Sequence, residues 1–370
     1  MVDLLKSVYL AGVVMHAAST SMAWGSWTAT RLHPAQAQWS VVRGGFGGHQ
    51  VGQFQAPLAG RHATFWNLST QSMVDLHPPV AFDSDAMCSN LDMQGGYVRF
   101  QSGSHAALWR GTASSWVDLH PAHASNSGIV GMSGDQQVGS ASLSDRAAGA
   151  CLWTGSAATW VNLAPPGSSE SLAYDTDNGR QVGSAQFELG RSRAVLWNGS
   201  AESWRDLTPP DASAQAFAIS GNQQVGYVDR FAAHAALWSG SADSLIDLNP
   251  SYSTESYAFD VFDGFQVGYF EEGYYRACLW IGSADSCENL SALLPSNYAH
   301  SRATSVWHDG TTVYVGGAAQ NMDTGRMEAW AWSRPIPGPG SLCVLVVPVR
   351  LYLSRRRPAP SVRSSGLLKN

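Results

Sequence analysis

The sequence predicts an all-β fold, a β-propeller of seven four-stranded blades. Three observations carry that prediction. Trp66, Trp109, Trp153, Trp197, Trp238 and Trp280 each follow a small or apolar residue, at steps of 43, 44, 44, 41 and 42 residues. Between them a Gln-Val-Gly motif returns after a Gly/Asn/Asp turn, and an Asp-Leu-like pair returns ahead of a proline. A period of this length means one supersecondary unit copied in tandem. Four short segments divided by turn residues make that unit a small sheet.

The elements follow in chain order. Each copy begins after a proline with an Ala-containing strand such as Ala216-Phe217-Ala218-Ile219. A tight turn comes next, at Gly47-Gly48, Gly134-Asp135, Asn178-Gly179, Gly221-Asn222, Asp263-Gly264 and Asp309-Gly310, residue pairs suited to positive backbone angles. The second strand opens on Gln50-Val51-Gly52, Gln137-Val138-Gly139, Gln181-Val182-Gly183, Gln224-Val225-Gly226 and Gln266-Val267-Gly268, with Gln94-Gly95-Gly96 and Tyr314-Val315-Gly316 as degenerate copies. The Trp strand follows, then a Gly-Ser-Ala-like turn, as at Gly155-Ser156-Ala157. The last strand ends at Asp75-Leu76, Asp118-Leu119, Asn162-Leu163, Asp206-Leu207, Asp247-Leu248 and Asn289-Leu290, with Arg31-Leu32 as a diverged copy.

Both series count to seven. The final unit supplies three strands, around 299–306, 312–317 and 328–332, and lacks a fourth. The segment Ser26 to Leu32 reads as that missing strand, which would close the ring. The expected organisation is therefore 1–23 as a secretory signal, 24–334 as one propeller, and 335–370 as a tail. In the signal reading Lys6 precedes the apolar core Val8 to Met15 and the small residues up to Ala23. The competing reading makes residues 8–24 part of an eighth blade.

Charge narrows the partners. From Trp24 to Gly340 the chain holds 15 Arg and no Lys against 27 Asp plus Glu. An acidic body argues against nucleic acid, since phosphate binding needs a basic face. The tail is basic instead, with Arg355, Arg356 and Arg357 behind the turn Pro337-Gly338-Pro339 and an apolar run from Ser341 to Leu353. That run is too short to span a bilayer comfortably.

The repeats resemble HAF-type extracellular repeats. His105-Ala106-Ala107-Leu108-Trp109, His234-Ala235-Ala236-Leu237-Trp238 and Ala218 through Gly226 carry the likeness, which covers about residues 26 to 332. The family differs in often having Gly after Asp-Leu, where this chain has Pro, and in lacking the Gly-Ser-Ala turn. The tail resembles the PEP-CTERM class of bacterial sorting tails, with Pro337, Gly338, Pro339 and Arg355, Arg356, Arg357 in the matching order. It departs from that class in lacking Glu at the Pro motif and in the residues trailing the arginines. The two resemblances imply export, a propeller-like scaffold and sorting to the cell surface, with only transient membrane contact through the tail. A disordered tail is the alternative.

Chemistry is sparse. The repeated Trp reads as packing between sheets rather than a sugar-stacking platform, and the repeated Asp reads as turn chemistry rather than a carboxylate ring. No P-loop, H-E-x-x-H, G-x-S-x-G or dinucleotide fingerprint appears, and the five cysteines show no metal spacing. No catalytic, cofactor or metal residue is therefore assigned. Cys278 and Cys287 fall at facing places on neighbouring strands, so they are either a disulfide or two buried thiols. The expectation is a secreted or surface-displayed monomer, non-catalytic, binding a protein or glycan through loops on one face. A propeller hydrolase or lyase acting on extracellular polysaccharide, and a structural matrix component, are the alternatives.

Overall fold

The computed structural model describes residues 24–57, 60–143, 146–187 and 190–337. The expected signal, residues 1–23, falls outside them, as do Gly338, Pro339, Arg355, Arg356 and Arg357 of the tail. Residues Ala23–Pro337 form one compact unit. It consists of seven four-stranded antiparallel sheets, a seven-bladed β-propeller, with strands in sequence order within blades 1 to 6. Blade 1 spans Ser40 to Asp75, blade 2 Asp83 to Asp118, blade 3 Asn126 to Asn162, blade 4 Glu170 to Asp206, blade 5 Ser213 to Asp247 and blade 6 Ser256 to Asn289. Blade 7 takes Tyr298–His308, Thr312–Asn321 and Met327–Pro335 from the end of the unit and Thr28–Arg31 from its start.

The Trp ladder is the packing between blades. Trp109 packs with Val51, Ala63 and Leu76 of blade 1, Trp153 with blade 2, Trp197 with blade 3, and so on round the ring. All of these indoles are at most 3% exposed, and none makes a hydrogen bond through its Nε1 among the described residues, so they act by filling space. Trp332 supplies the seventh rung in blade 7, packing on Val267 and Leu279 of blade 6. Its pairing opposite Val315 shifts the degenerate motif by one residue: Val315-Gly316-Gly317, not Tyr314-Val315-Gly316, stands where Gln-Val-Gly stands elsewhere.

A second, polar contact recurs beside each Trp. A hydroxyl near the start of one blade's innermost strand accepts the backbone N–H of an alanine on the third strand of the preceding blade. Ser84 serves Ala63, Ser127 serves Ala106, Ser171 serves Ala150 and Ser256 serves Ala235, all at 2.9 Å. Ser301 serves Ala277 at 3.0 Å, and Ser40 serves Ala329 across the closure at 2.9 Å. Blade 5 has Ala214 where the others have Ser, and Thr208 from the preceding loop takes over for Ala194 at 2.9 Å. His33, His77 and His120 brace three of these hydroxyls.

The motif residues join the turns. Gln94, Gln137, Gln181, Gln224 and Gln266 accept from Gly111, Gly155, Gly199, Gly240 and Gly282 at 2.7–2.9 Å, linking the first hairpin of blades 2 to 6 to the second turn. That second turn is more than a tight turn. It continues into one turn of 3-10 helix, as at Ala157–Thr159, because Thr159 accepts from Thr154 N and donates to Ser156 O.

Closure uses Thr28–Arg31 paired antiparallel with Met327–Pro335, Thr28 opposite Ser333 and Arg31 opposite Trp330. Leu32 N bonds Ala329 O at 2.8 Å, as Leu76 N bonds Ala63 O within blade 1. Arg31 Nε meets the buried Glu328 at 2.6 Å. Burial opposes ionisation of Glu328, yet the Arg31 and Tyr298 bonds hold its carboxyl below the usual range. The Arg334 guanidinium sits 4.3 Å from the Trp24 ring and 4.5 Å from the Trp27 ring while bonding Glu288 at 2.7 Å. Trp27 Nε1 donates to the same carboxylate, so the clasp also reaches blade 6.

Ser127→Ala strips a partner from a buried N–H and from His120, and is expected to cost about 1–3 kcal/mol. The exposed Ser114→Ala should stay within about 0.5 kcal/mol. Urea denaturation of both variants checks this; equal midpoints would show that the inter-blade hydroxyl contributes nothing.

Candidate functional site: the central channel

The channel is built by a repeated irregularity. In all seven innermost strands the register with the second strand slips by one residue, at Arg43, Met87, Val130, Tyr174, Phe217, Phe259 and Thr304. Opposite the slip stands the motif glycine. A Cβ on Gly52, Gly96, Gly139, Gly183, Gly226, Gly268 or Gly317 would lie 1.8–2.1 Å from a carbonyl oxygen of the innermost strand. Only glycine lets the two backbones approach so closely, which is a bulge's usual requirement. The seven bulged side chains line one cavity of about 400 Å³.

This ring is asymmetric. Blades 4 to 6 present an aromatic wall, with Tyr174 to Phe217 at 5.3 Å and Phe217 to Phe259 at 5.7 Å between centroids. Behind it Tyr227, Tyr257 and Tyr269 extend the cluster at 4.8–5.7 Å. Blades 7 and 1 present Arg302, Thr304 and Arg43, and blades 2 and 3 present Met87 and Val130. At the mouth Phe46 meets Phe262 edge-on at 6.0 Å.

Carboxyls with little access to solvent border the ring. Asp175 accepts from Ile219 N at 2.9 Å and Asp260 from Val306 N at 2.7 Å, each reaching the innermost strand of the next blade. Asp260 also accepts from Val261 N at 2.8 Å. Burial raises Asp260 to about 7 and Asp175 well above its ordinary value. Burial likewise raises Asp85 to about 6, against the pull of Arg43, whose Nε lies 3.4 Å away. Among the described residues no group of three or more His, Cys, Asp or Glu is arranged to hold a metal ion.

The residues singled out by the sequence lie elsewhere. Asp75, Asp118, Asp206 and Asp247 each accept the N–H two residues on, at 2.8–2.9 Å, which is an Asx turn. Their second oxygens take His62, His105, Arg193 and His234 from the Trp strand. Cys278 and Cys287 are free thiols hydrogen-bonded to each other in blade 6, not a disulfide. Pro337 closes the described chain. None of these reaches the channel. The channel residues escaped sequence reading because they occupy the column where the repeats differ, and that variability beside an invariant glycine was the available signal.

Two outcomes follow. The folded-state pKa of Asp260 lies above its unfolded value near 4, so the native state holds the proton between about pH 4 and 7 and stability falls as pH rises through that window. In Asp260→Asn the denaturation midpoint should vary less over the same window; an unchanged slope would assign the dependence elsewhere. The hydrogen bond from Cys278 lowers the Cys287 pKa, whereas burial raises that of Cys278. Iodoacetamide on the native protein should therefore label Cys287 first, by mass spectrometry, and preferential labelling of Cys278 would contradict the assignment.

No family model and no curated protein matches the sequence. Solved structures do match the fold. A puromycin hydrolase aligns at 11% identity and a TM-score of 0.55, covering 82% of this chain and 55% of that one. A prolyl endopeptidase aligns at 9% and 0.52, covering 80% and 50%. The β-propeller domain of the Trilobed protease from Pyrococcus furiosus aligns at 10% and 0.53, covering 80% and 94%. That domain is described as having an open velcro topology, whereas Thr28–Arg31 closes the ring here. This chain thus spans about half the length of the first two and nearly all of the third, and the likeness is one of fold. It corrects the expectation of a non-catalytic propeller that binds a protein or glycan through a loop face: the matching propellers are carried by peptidases.

Proposed function

We propose that this propeller serves peptide hydrolysis, admitting an extended peptide to its channel while catalytic groups outside the described residues cut it. The ring of seven bulged side chains carries the reading. It puts an apolar and aromatic lining with a few polar groups round a cavity of ligand size, in an architecture that recurs in peptidases. The Ser–His contacts at Ser40, Ser84 and Ser127 are committed to inter-blade N–H groups, which supports placing hydrolysis elsewhere. Export through residues 1–23 and surface sorting by the tail belong to the same proposal.

The test is an unstructured, fluorescein-labelled decapeptide titrated against the full chain by anisotropy. Val130→Trp adds an indole to the ring and should weaken binding by about tenfold or more, roughly 1.4 kcal/mol, with the melting midpoint unchanged. Equal binding by the two proteins would overturn the channel as the route.

A further inference from the structure

The aromatic wall ends on a cation. From Phe259 the rings continue to Tyr269 at 5.7 Å and from Tyr269 to Tyr275 at 4.6 Å. The Arg302 guanidinium then lies 5.6 Å from the Tyr275 centroid. Arg302 is exposed and lines the same cavity as Phe217 and Phe259.

We propose that the channel recognises the C-terminal carboxylate of a peptide ending in a large aromatic residue, Arg302 taking the carboxylate and the aromatic wall taking the side chain. This rests on the peptide-admitting reading above and names which peptides it favours.

The charges near the cavity single out Arg302. Arg43 leans on the buried Asp85 and has part of its charge met. Asp175 and Asp260 direct their oxygens at backbone N–H groups of the blade wall. Asp177, at the mouth, accepts from Gly221 N at 2.8 Å and from Asn178. Arg302 forms no ion pair within 4 Å among the described residues. Its planar fork of donors matches a carboxylate in two hydrogen bonds. Contact with Tyr275 restrains the guanidinium without using those donors. A peptide amino terminus would meet like charge at that point, so the geometry favours the carboxyl end.

The experiment compares N-acetyl-Gly-Phe with its C-terminal amide, titrated calorimetrically into the full chain. The acid should bind at least about tenfold tighter than the amide. Arg302→Gln should bring the acid to the affinity of the amide and leave the amide unchanged, while Phe259→Ala should weaken both and keep their ratio. Arg302→Lys, which keeps the charge without the fork, should fall between; it guards against a folding defect in the glutamine variant, as does the melting midpoint. Equal affinities of acid and amide, or a preference that survives Arg302→Gln, would overturn the carboxylate assignment and leave the peptide channel standing. Failure of both ligands to bind, together with failure of the decapeptide, would overturn both.

Discussion

Every blade is stabilised by its predecessor, and this one dependence organises the molecule. A Trp on the third strand fills space against the blade before it, and a hydroxyl on the innermost strand caps an alanine N–H of that same blade. Neither contact is available to a blade standing alone. An open row of such sheets would leave the first blade's indole in water and the last blade's alanine N–H unmatched. Closure removes the problem. Trp66 and Val42 of blade 1 pack with Ala329 of blade 7, and Ser40 caps Ala329 N. The two ends of the propeller must therefore meet, which explains why the closing strand is held by Arg31 on the buried Glu328 and by Arg334 between two indoles.

The same repeat geometry makes the channel. The motif glycine brings the second strand so close to the innermost one that the latter must bulge, and each bulge frees one side chain from the sheet. A scaffold that is nearly identical seven times thus offers seven positions whose side chains lie outside the repeated Trp and hydroxyl contacts. They can differ, and they do: a guanidinium, two aliphatic groups, three aromatic rings and a hydroxyl. Conserved backbone geometry with variable side chains is how a rigid frame comes to carry specificity.

The acids near the ring show how placement changes the meaning of a residue type. Asp75 and its repeat partners lie at the rim, ordinary turn formers with a His or Arg on the second oxygen. Asp175 and Asp260 immediately follow bulges and are partly buried; they accept backbone N–H groups of the next blade, and loss of solvent outweighs those bonds and shifts them toward the protonated form. Where other blades have Gly44 or Gly131 at this point, the neighbouring backbone itself closes in, with its atoms 2.4–2.7 Å from where a Cβ would be.

The sequence alone determined the period, the four strands, the count of seven and the closing strand, because each is written in local chemistry: turn residues with positive backbone angles, alternating strands, and a large residue at a fixed place. It placed the repeat tryptophans between sheets for the same reason. It led to an offset motif in blade 7, where no Gln marks the register and only strand pairing shows that Gly317 stands opposite the bulge. Only the tertiary structure decided which residues meet: serines bonding across blades, Cys278 and Cys287 as contacting thiols, and Arg302 at the end of a wall drawn from three different blades. The serine and Arg302 contacts join residues on different sheets, and no spacing along the chain records the angle at which one sheet packs on the next; the thiol pair lies within one sheet, where spacing allowed a contact without deciding its chemistry.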